Sequence, residues 1–510
     1  MIDNNPTEAL TGRISRPPSA ALRELVLEPQ FRYEADHLLA HYVQVEKVLL
    51  AEYRRLGVLD GVQVRSIAGA LGDVIRDGLS ADPVANLSDI ALAIERHVTG
   101  RLDVPAWHVD RSRNDLQATV QLMFGRDQAL HVMADMLSCA SAAQRLAARY
   151  TGDIMPGFTH LQAAQVITPG FFVSAISAHL LHTIRRMVAT YDVVNLCPLG
   201  SGALAGQELG WDRDRMAGLL AFAGPQPHAL VGVASRGWLL EIAAECSTFA
   251  VGLSRLLTDL MTWAGSEHGL VELPDELAGI SSAMPQKKNY PVLERIRGRT
   301  AHLTSWYADV ATAQRNTPYS NTVEVSKESS AQLGTALGTL RSLLRLFTEV
   351  LDETVFRTEH GRLRCDEEYL GGFSLANRLT LDQQVPWRDA QVIAGRYVVA
   401  ALDAGLGAGS VDGSLLGAIA AAHGHAITGA GQLLRDAFDP QAELRRRRSR
   451  GSAHPGEVSR LLAAQESEHT QLTNEISARR AALDAMPARI DRVLTSVHGV
   501  MPGTRPGEWP

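Results

Sequence analysis

Ser281, Ser282, Met284, Lys287 and Asn289 fall within nine residues of one segment, Ala278 to Asn289, reading AGISSAMPQKKN. Its opening glycine and internal proline make it a loop rather than a helix interior. Such a loop can bring a hydroxyl, an ammonium and an amide to one small anion, which is equipment for stabilising negative charge that develops on a carboxylate. A solvated lysine-bearing loop has the same composition, so the other joints of the chain must decide between the two. SRND stands at 112–115, MPGFTHLQ at 155–162, PLGSGALAG at 198–206, ASRGW at 234–238 and NTPYSNTVEVSK at 316–327. Each is polar, and most set Gly or Pro beside a potential proton or anion partner.

The segments between these joints read as long helices. They run from about Arg113 to Tyr150, Pro169 to Asn195, Gly237 to Ala264, Pro291 to Asn316 and Glu324 to Thr354, each longer than the common helix of about 10 to 14 residues. Leu116, Val120, Met123, Leu130, Met133 and Leu137 make a helical stripe on the first. Pro291 suits a first helical turn, where its missing N–H costs nothing. Five such helices cannot bury their apolar faces in a small monomer, so a bundle shared between subunits is expected. Pro6, Gly12, Pro17 and Pro18 break residues 1 to about 20 into an extended arm. Residues to about 101 then return to helical spacing, and a further helical region follows Cys365. The expected domains are 1–111, 112–364 and 365–510.

With 510 residues and a net charge of −7, the chain lacks the basic stripe of a nucleic-acid binder. The run Arg445 to Arg448 reads as a solvated face or loop. Four separated cysteines without a CxxC pair suggest neither a zinc cluster nor a disulfide framework. The N-terminus lacks a signal-peptide pattern and no apolar run reaches about 18 residues. A soluble, cytoplasmic protein without a membrane partner is expected. Aromatic residues make up only 5%, which suits closely packed long helices.

The loop at 279–289 resembles the GSSxMPxKxN signature of the fumarase/aspartase superfamily. The other joints, with GGFSLANRL at 371–379 and VPWRDAQVIAG at 385–395, are similar in kind and order to blocks of the argininosuccinate lyase family. The resemblance runs from about residue 12 to about 485. It implies an all-α, three-domain subunit whose central long helices form a 20-helix core in a homotetramer, each active site taking loops from three subunits. The implied reaction is reversible β-elimination of fumarate from an N-substituted L-aspartate, a small-molecule substrate, with no metal or organic cofactor. A proton must then leave carbon beside a carboxylate, and the dianionic aci-acid must be held by fixed positive charge and donors. The resemblance makes Ser281 the base and gives the aci-carboxylate to Lys287 and Asn289. Thr159 and Asn114, with Arg236 nearby, would grip the succinyl carboxylates; His160, oriented by Glu294, would assist the departing nitrogen. Ser112, Arg113, Gln162, Ser282 and Met284 join them as substrate-binding positions.

Departures from the family pattern gather where the amine should lie. The usual EDxH is Ser88, Asp89, Ile90, Ala91; the Gln after SRND is Leu116; the PD after the loop is Tyr290 and Pro291. In the joint at 316–327, Tyr319 and Lys327 match, but the Gln between them is Glu324 and the usual NKD is Ser320, Asn321, Thr322. In the family, that Tyr, Gln and Lys help to hold the substrate, including arginine's amino-acid end. Glu324 puts a negative charge where a carboxylate would lie, and like charges repel in a partly desolvated pocket. The expectation is intact fumarate-forming machinery with an altered amine pocket. It would suit a diamine, as in aminopolycarboxylate lyases of the ethylenediamine-disuccinate type. The alternatives are a genuine argininosuccinate lyase and a non-catalytic, crystallin-like homologue, the latter disfavoured by the complete catalytic set.

Overall fold

Several of the long helices start where a side chain or a proline answers the free N–H groups of the first turn. The computed structural model describes residues 18–79 and 90–496. Ser88, Asp89 and the expected arm before residue 18 lie outside the described residues. Helix α1 spans Leu39–Arg55 and α2 Arg113–Arg149. The Ser112 hydroxyl caps α2 by accepting from Asn114 N at 3.2 Å. Strands β1 (Met155–Thr159) and β2 (Gln162–Ile167) form an antiparallel hairpin. Helix α3, Pro169–Val194, has Pro169 in its first turn and Thr168 Oγ1 accepting from Phe171 N at 3.0 Å. Helix α4 is Gly237–Ala264, α5 is Pro291–Gln314 with Pro291 in its first turn, and α6 is Leu333–Glu353. Helix α7, Pro455–Asp484, again opens on proline.

The protein is mostly helical, and its strands are few and short. Helix α2 packs against α3, α6 and α7, while α4 packs against α5 and α3. Val120, Met133, Ile176, Ile184, Phe249, Leu257, Ile296, Leu340 and Phe347 are fully buried along these contacts. Each such side chain contributes about 1.5 to 3 kcal/mol. The start of α4 approaches α2 at Gly125, where a Cβ would stand 2.3 Å from the Trp238 ring, so only glycine fits. Leu375, Leu379, Ile393, Tyr397, Leu416 and Leu434 make a separate apolar cluster. Helix α7 then returns to the long helices, its Gln465 Nε2 donating to Ser174 O at 3.0 Å. No helix among the described residues is long and apolar enough to cross a membrane.

Two local expectations change. The segment expected to be helical from Glu324 begins instead as two short turns, Val323–Ser326 and Glu328–Ser330, before α6 starts. Gln121 Nε2 donates to Ser326 O at 2.6 Å, and Ser330 N bonds to Lys327 O at 3.2 Å. The carbonyl that would continue an α-helix is already occupied. The MPGFTHLQ joint, expected as a polar joint before a helix, forms β1, its turn and the first residue of β2.

His41 on α1 faces the Phe124 ring of α2, with centroids 6.3 Å apart. Burial pushes its imidazole pKa down from 6.5 to about 4, against the opposing pull of Asp127. The unfolded chain therefore takes up this proton first, and stability falls as pH drops from 6.5 towards 4. Denaturant midpoints for His41→Gln at pH 7, 6 and 5 are expected to fall less steeply than those of the unaltered protein.

Candidate active site

The hairpin tip is built under strain. Thr159 stands opposite Gln162, which leaves His160 and Leu161 as a two-residue turn. Their φ values are 52° and 61°, the left-handed pair of a type I′ turn that Asn-Gly usually fills. Left-handed backbone at a residue with a Cβ costs roughly 1 to 2 kcal/mol, and the strand pairing on either side holds it in place. Thr159, His160, Leu161 and Gln162 are all exposed, Leu161 by 81%. The tip presents its polar groups outward from the subunit.

The loop at 279–289 is closed at its base. Gly279 N donates to Asn289 O at 2.8 Å and Asn289 N returns a bond to Gly279 O at 3.1 Å. A Cβ at Gly279 would stand 2.8 Å from the Pro291 ring, so the closure depends on glycine. Lys288 tethers the base through a 2.9 Å ion pair with Asp275. Lys287 points into the open; Ser282 and Met284 are exposed and Ile280 is 96% exposed. Ser281 Oγ accepts a hydrogen bond from Met284 N at 3.1 Å. Lys287, Asn289 and Glu294 line one cavity of about 460 Å³, together with Met261, Gly265 and Tyr290. An ammonium, an amide and a carboxylate expected in the site thus share one space.

A third group is interior. Asn321 Nδ2 donates to Asn114 Oδ1 at 2.9 Å, and Asn321 Oδ1 accepts from Arg236 Nη2 at 3.4 Å. Arg236, fully buried, donates Nε to Gln121 Oε1 at 2.8 Å and Nη1 to the carbonyls of Val233 and Ser235. Burial lowers its pKa to about 10, so it stays charged at neutral pH. Asn114 also donates to Ala203 O at 2.9 Å. Tyr319 and Glu324 are exposed, while Lys327 is ion-paired with Glu34. Asn321, a departure in sequence, is the link between Asn114 and Arg236.

Sequence reasoning missed Asp115. It is buried beside Asn114, and its Oδ2 accepts from Gly200 N at 2.9 Å and Gly202 N at 3.0 Å. Burial pushes its pKa up to about 6, while the N–H bonds pull the other way. Asp110 performs a similar task further along, accepting from Leu209 N and Trp211 Nε1. Asp110 and Asp115, the two acidic residues that flank RSRN at 111–114, were the available signal. Among the described residues, no hydrogen bond or ion pair joins His160 to Glu294 within one chain, nor Ser281 to Asn114 or Thr159.

A family model described as Lyase matches residues 54–303. Argininosuccinate lyase 1 of Shouchella clausii (strain KSM-K16) is 28% identical over 483 residues, 93% of this chain and 97% of that protein. Argininosuccinate lyase of Pseudomonas putida (strain GB-1) is 30% identical over 416 residues, 79% of this chain and 87% of that protein. The chain belongs to the argininosuccinate lyase family. Among solved structures, EDDS lyase in complex with formate is similar at a TM-score of 0.83 and 26% identity, covering 95% of this chain and 97% of that one. Membership places the chain in the fumarase/aspartase superfamily and makes it a fumarate-forming carbon–nitrogen lyase.

Replacing Asp115 with Asn withdraws the charge from two loop amides and turns an amide NH₂ towards donors. A destabilisation of about 2 to 3 kcal/mol is expected, the scale of a lost charged hydrogen bond. It is read from the denaturant midpoint, with faster amide exchange at Gly200 and Gly202.

Proposed function

We propose that this lyase releases fumarate from an N-substituted L-aspartate whose amine is not arginine, in a homotetramer that builds each site from several subunits. The observation that carries the chemistry is the cavity shared by Lys287, Asn289 and Glu294, with Ser281 on the same loop. Ser281 Oγ takes the proton from the carbon beside the carboxylate, and its bond from Met284 N favours the anionic oxygen that a serine base requires. Lys287 and Asn289 hold the carboxylate as it takes up negative charge. The C–H electron pair becomes the new C=C bond, the C–N bond breaks, and His160 gives a proton to the leaving nitrogen. Glu294 orients that histidine. Thr159 and Asn114 hold the succinyl end, with buried Arg236 orienting Asn114 through Asn321.

The outward direction of the hairpin tip and of the loop supports assembly from several chains, since both carry polar groups away from their own subunit. Glu324, exposed on the joint that carries Lys327 and Tyr319, supports a cationic amine such as a diamine. So does the likeness to EDDS lyase over nearly the whole chain.

Purified protein is mixed with argininosuccinate and, separately, with N-succinyl diamines, and fumarate absorbance is followed. Release from a succinyl diamine and little from argininosuccinate is expected; fast turnover of argininosuccinate would sink the altered-amine reading. Lys287→Met is expected to lower kcat by roughly 10²- to 10³-fold, the loss typical of one oxyanion donor. Ser281→Ala is expected to abolish turnover, and full activity in it would remove Ser281 as base. Unfolding Ser281→Ala and His160→Gln subunits together and refolding the mixture should restore part of the activity that each lacks. No recovery would count against sites shared between chains.

A further inference from the structure

Beside the interior network lies a cavity of about 300 Å³ between the helix Glu28–His37 and the joint that carries Lys327. Leu25, Val26 and Pro29 give it an apolar wall, and Glu34, Lys327 and Glu328 supply its charge. Among the described residues lining it, Lys327 is the one cation, and its ammonium is ion-paired with the Glu34 carboxylate. The Glu34 side chain is 3% exposed and that of Lys327 16%. Glu34 is itself fixed, because its Oε2 accepts from Ile90 N at 3.1 Å. A pair this deeply buried is not separated without leaving an uncompensated charge. Gln121 also lines the cavity and takes the bond from Arg236 Nε. The cavity therefore adjoins the chain of bonds that ends at Asn114. With Glu34 and Lys327 cancelling, Glu328 leaves the space negative, and Glu324 on the same joint adds to it.

We propose that Glu34 sets the amine specificity of this enzyme. By holding Lys327, it withdraws the cation that the carboxylate of an amino-acid product would need. The cavity then accepts an amine with an apolar or cationic tail and rejects one with an α-carboxylate. The inference rests on the lyase reading above and deepens it to a class of amine.

The test runs in the direction of addition, following fumarate consumption with two matched pairs of amines that differ by one carboxylate. These are ethylenediamine with 2,3-diaminopropionate, and agmatine with arginine. The unaltered protein is expected to favour the member without the carboxylate in kcat/KM by at least about tenfold. Glu34→Gln frees Lys327 and moves that ratio towards the carboxylated member by roughly ten- to a hundredfold, the scale of one charge-assisted hydrogen bond. The double variant Glu34→Gln/Lys327→Gln has neither charge, so it avoids the unpaired ammonium that could unfold the single variant. It is expected to keep the ratio of the unaltered protein. An unchanged ratio in folded Glu34→Gln, or the shifted ratio persisting in the double variant, overturns the role of Glu34 while leaving the lyase reading intact. Failure of the unaltered protein to consume fumarate with any amine overturns both.

Discussion

Two buried charges, Asp115 and Arg236, are solvated by neutral dipoles, and the arrangement of the interior part of the site follows from that. Asp115 is met by the N–H groups of Gly200, Gly202 and Leu116. Arg236 is met by two carbonyls and the side-chain oxygens of Gln121 and Asn321. Removing an ion from water costs several kcal/mol even after relaxation. The cost is offset only while every one of those dipoles keeps its orientation. The loops that carry them cannot wander without exposing a charge to apolar surroundings, so flexible glycine sequence becomes fixed backbone.

Around this fixed interior the exposed parts are held only at their roots. The loop at 279–289 is pinned by its Gly279–Asn289 pairing and by Lys288 on Asp275, while its tip stays open. The β1–β2 hairpin is pinned by strand pairing, while His160 and Leu161 carry the left-handed strain at its end. Adjacent lysines thus differ: Lys288 anchors the loop and Lys287 is left exposed. Rooted, open-tipped loops suit a site that closes around a small dianion, because ordering a short tip costs less than ordering a whole loop.

Much of the fold is legible in the sequence because helix signals are local. Ser112, Thr168 with Pro169, and Pro291 mark three helix starts within a residue or two of where they occur. The start of α6 is not legible, because Gln121, 205 positions earlier, takes the Ser326 carbonyl. The hairpin was hidden by a turn filled with His and Leu rather than Asn and Gly. That 279–289 is a loop was legible from its glycine and proline, and its closure by Gly279 and Asn289 was not. Asp115 was not, since its glycine partners lie 85 and 87 positions away. Nor was Glu34, whose ion pair with Lys327 spans 293 positions. Periodicity carries no information about such contacts.

Glu324 makes no hydrogen bond or ion pair among the described residues and stands in solvent, outside the chain of dipoles that solvates Arg236. Replacing an exposed residue of this kind typically changes stability by no more than about 0.5 kcal/mol. Mutation at this position is therefore nearly free of a folding penalty, whereas at Asn321 or Asp115 it is not. Single substitutions at position 324 can thus change the charge of this joint with little cost to the fold.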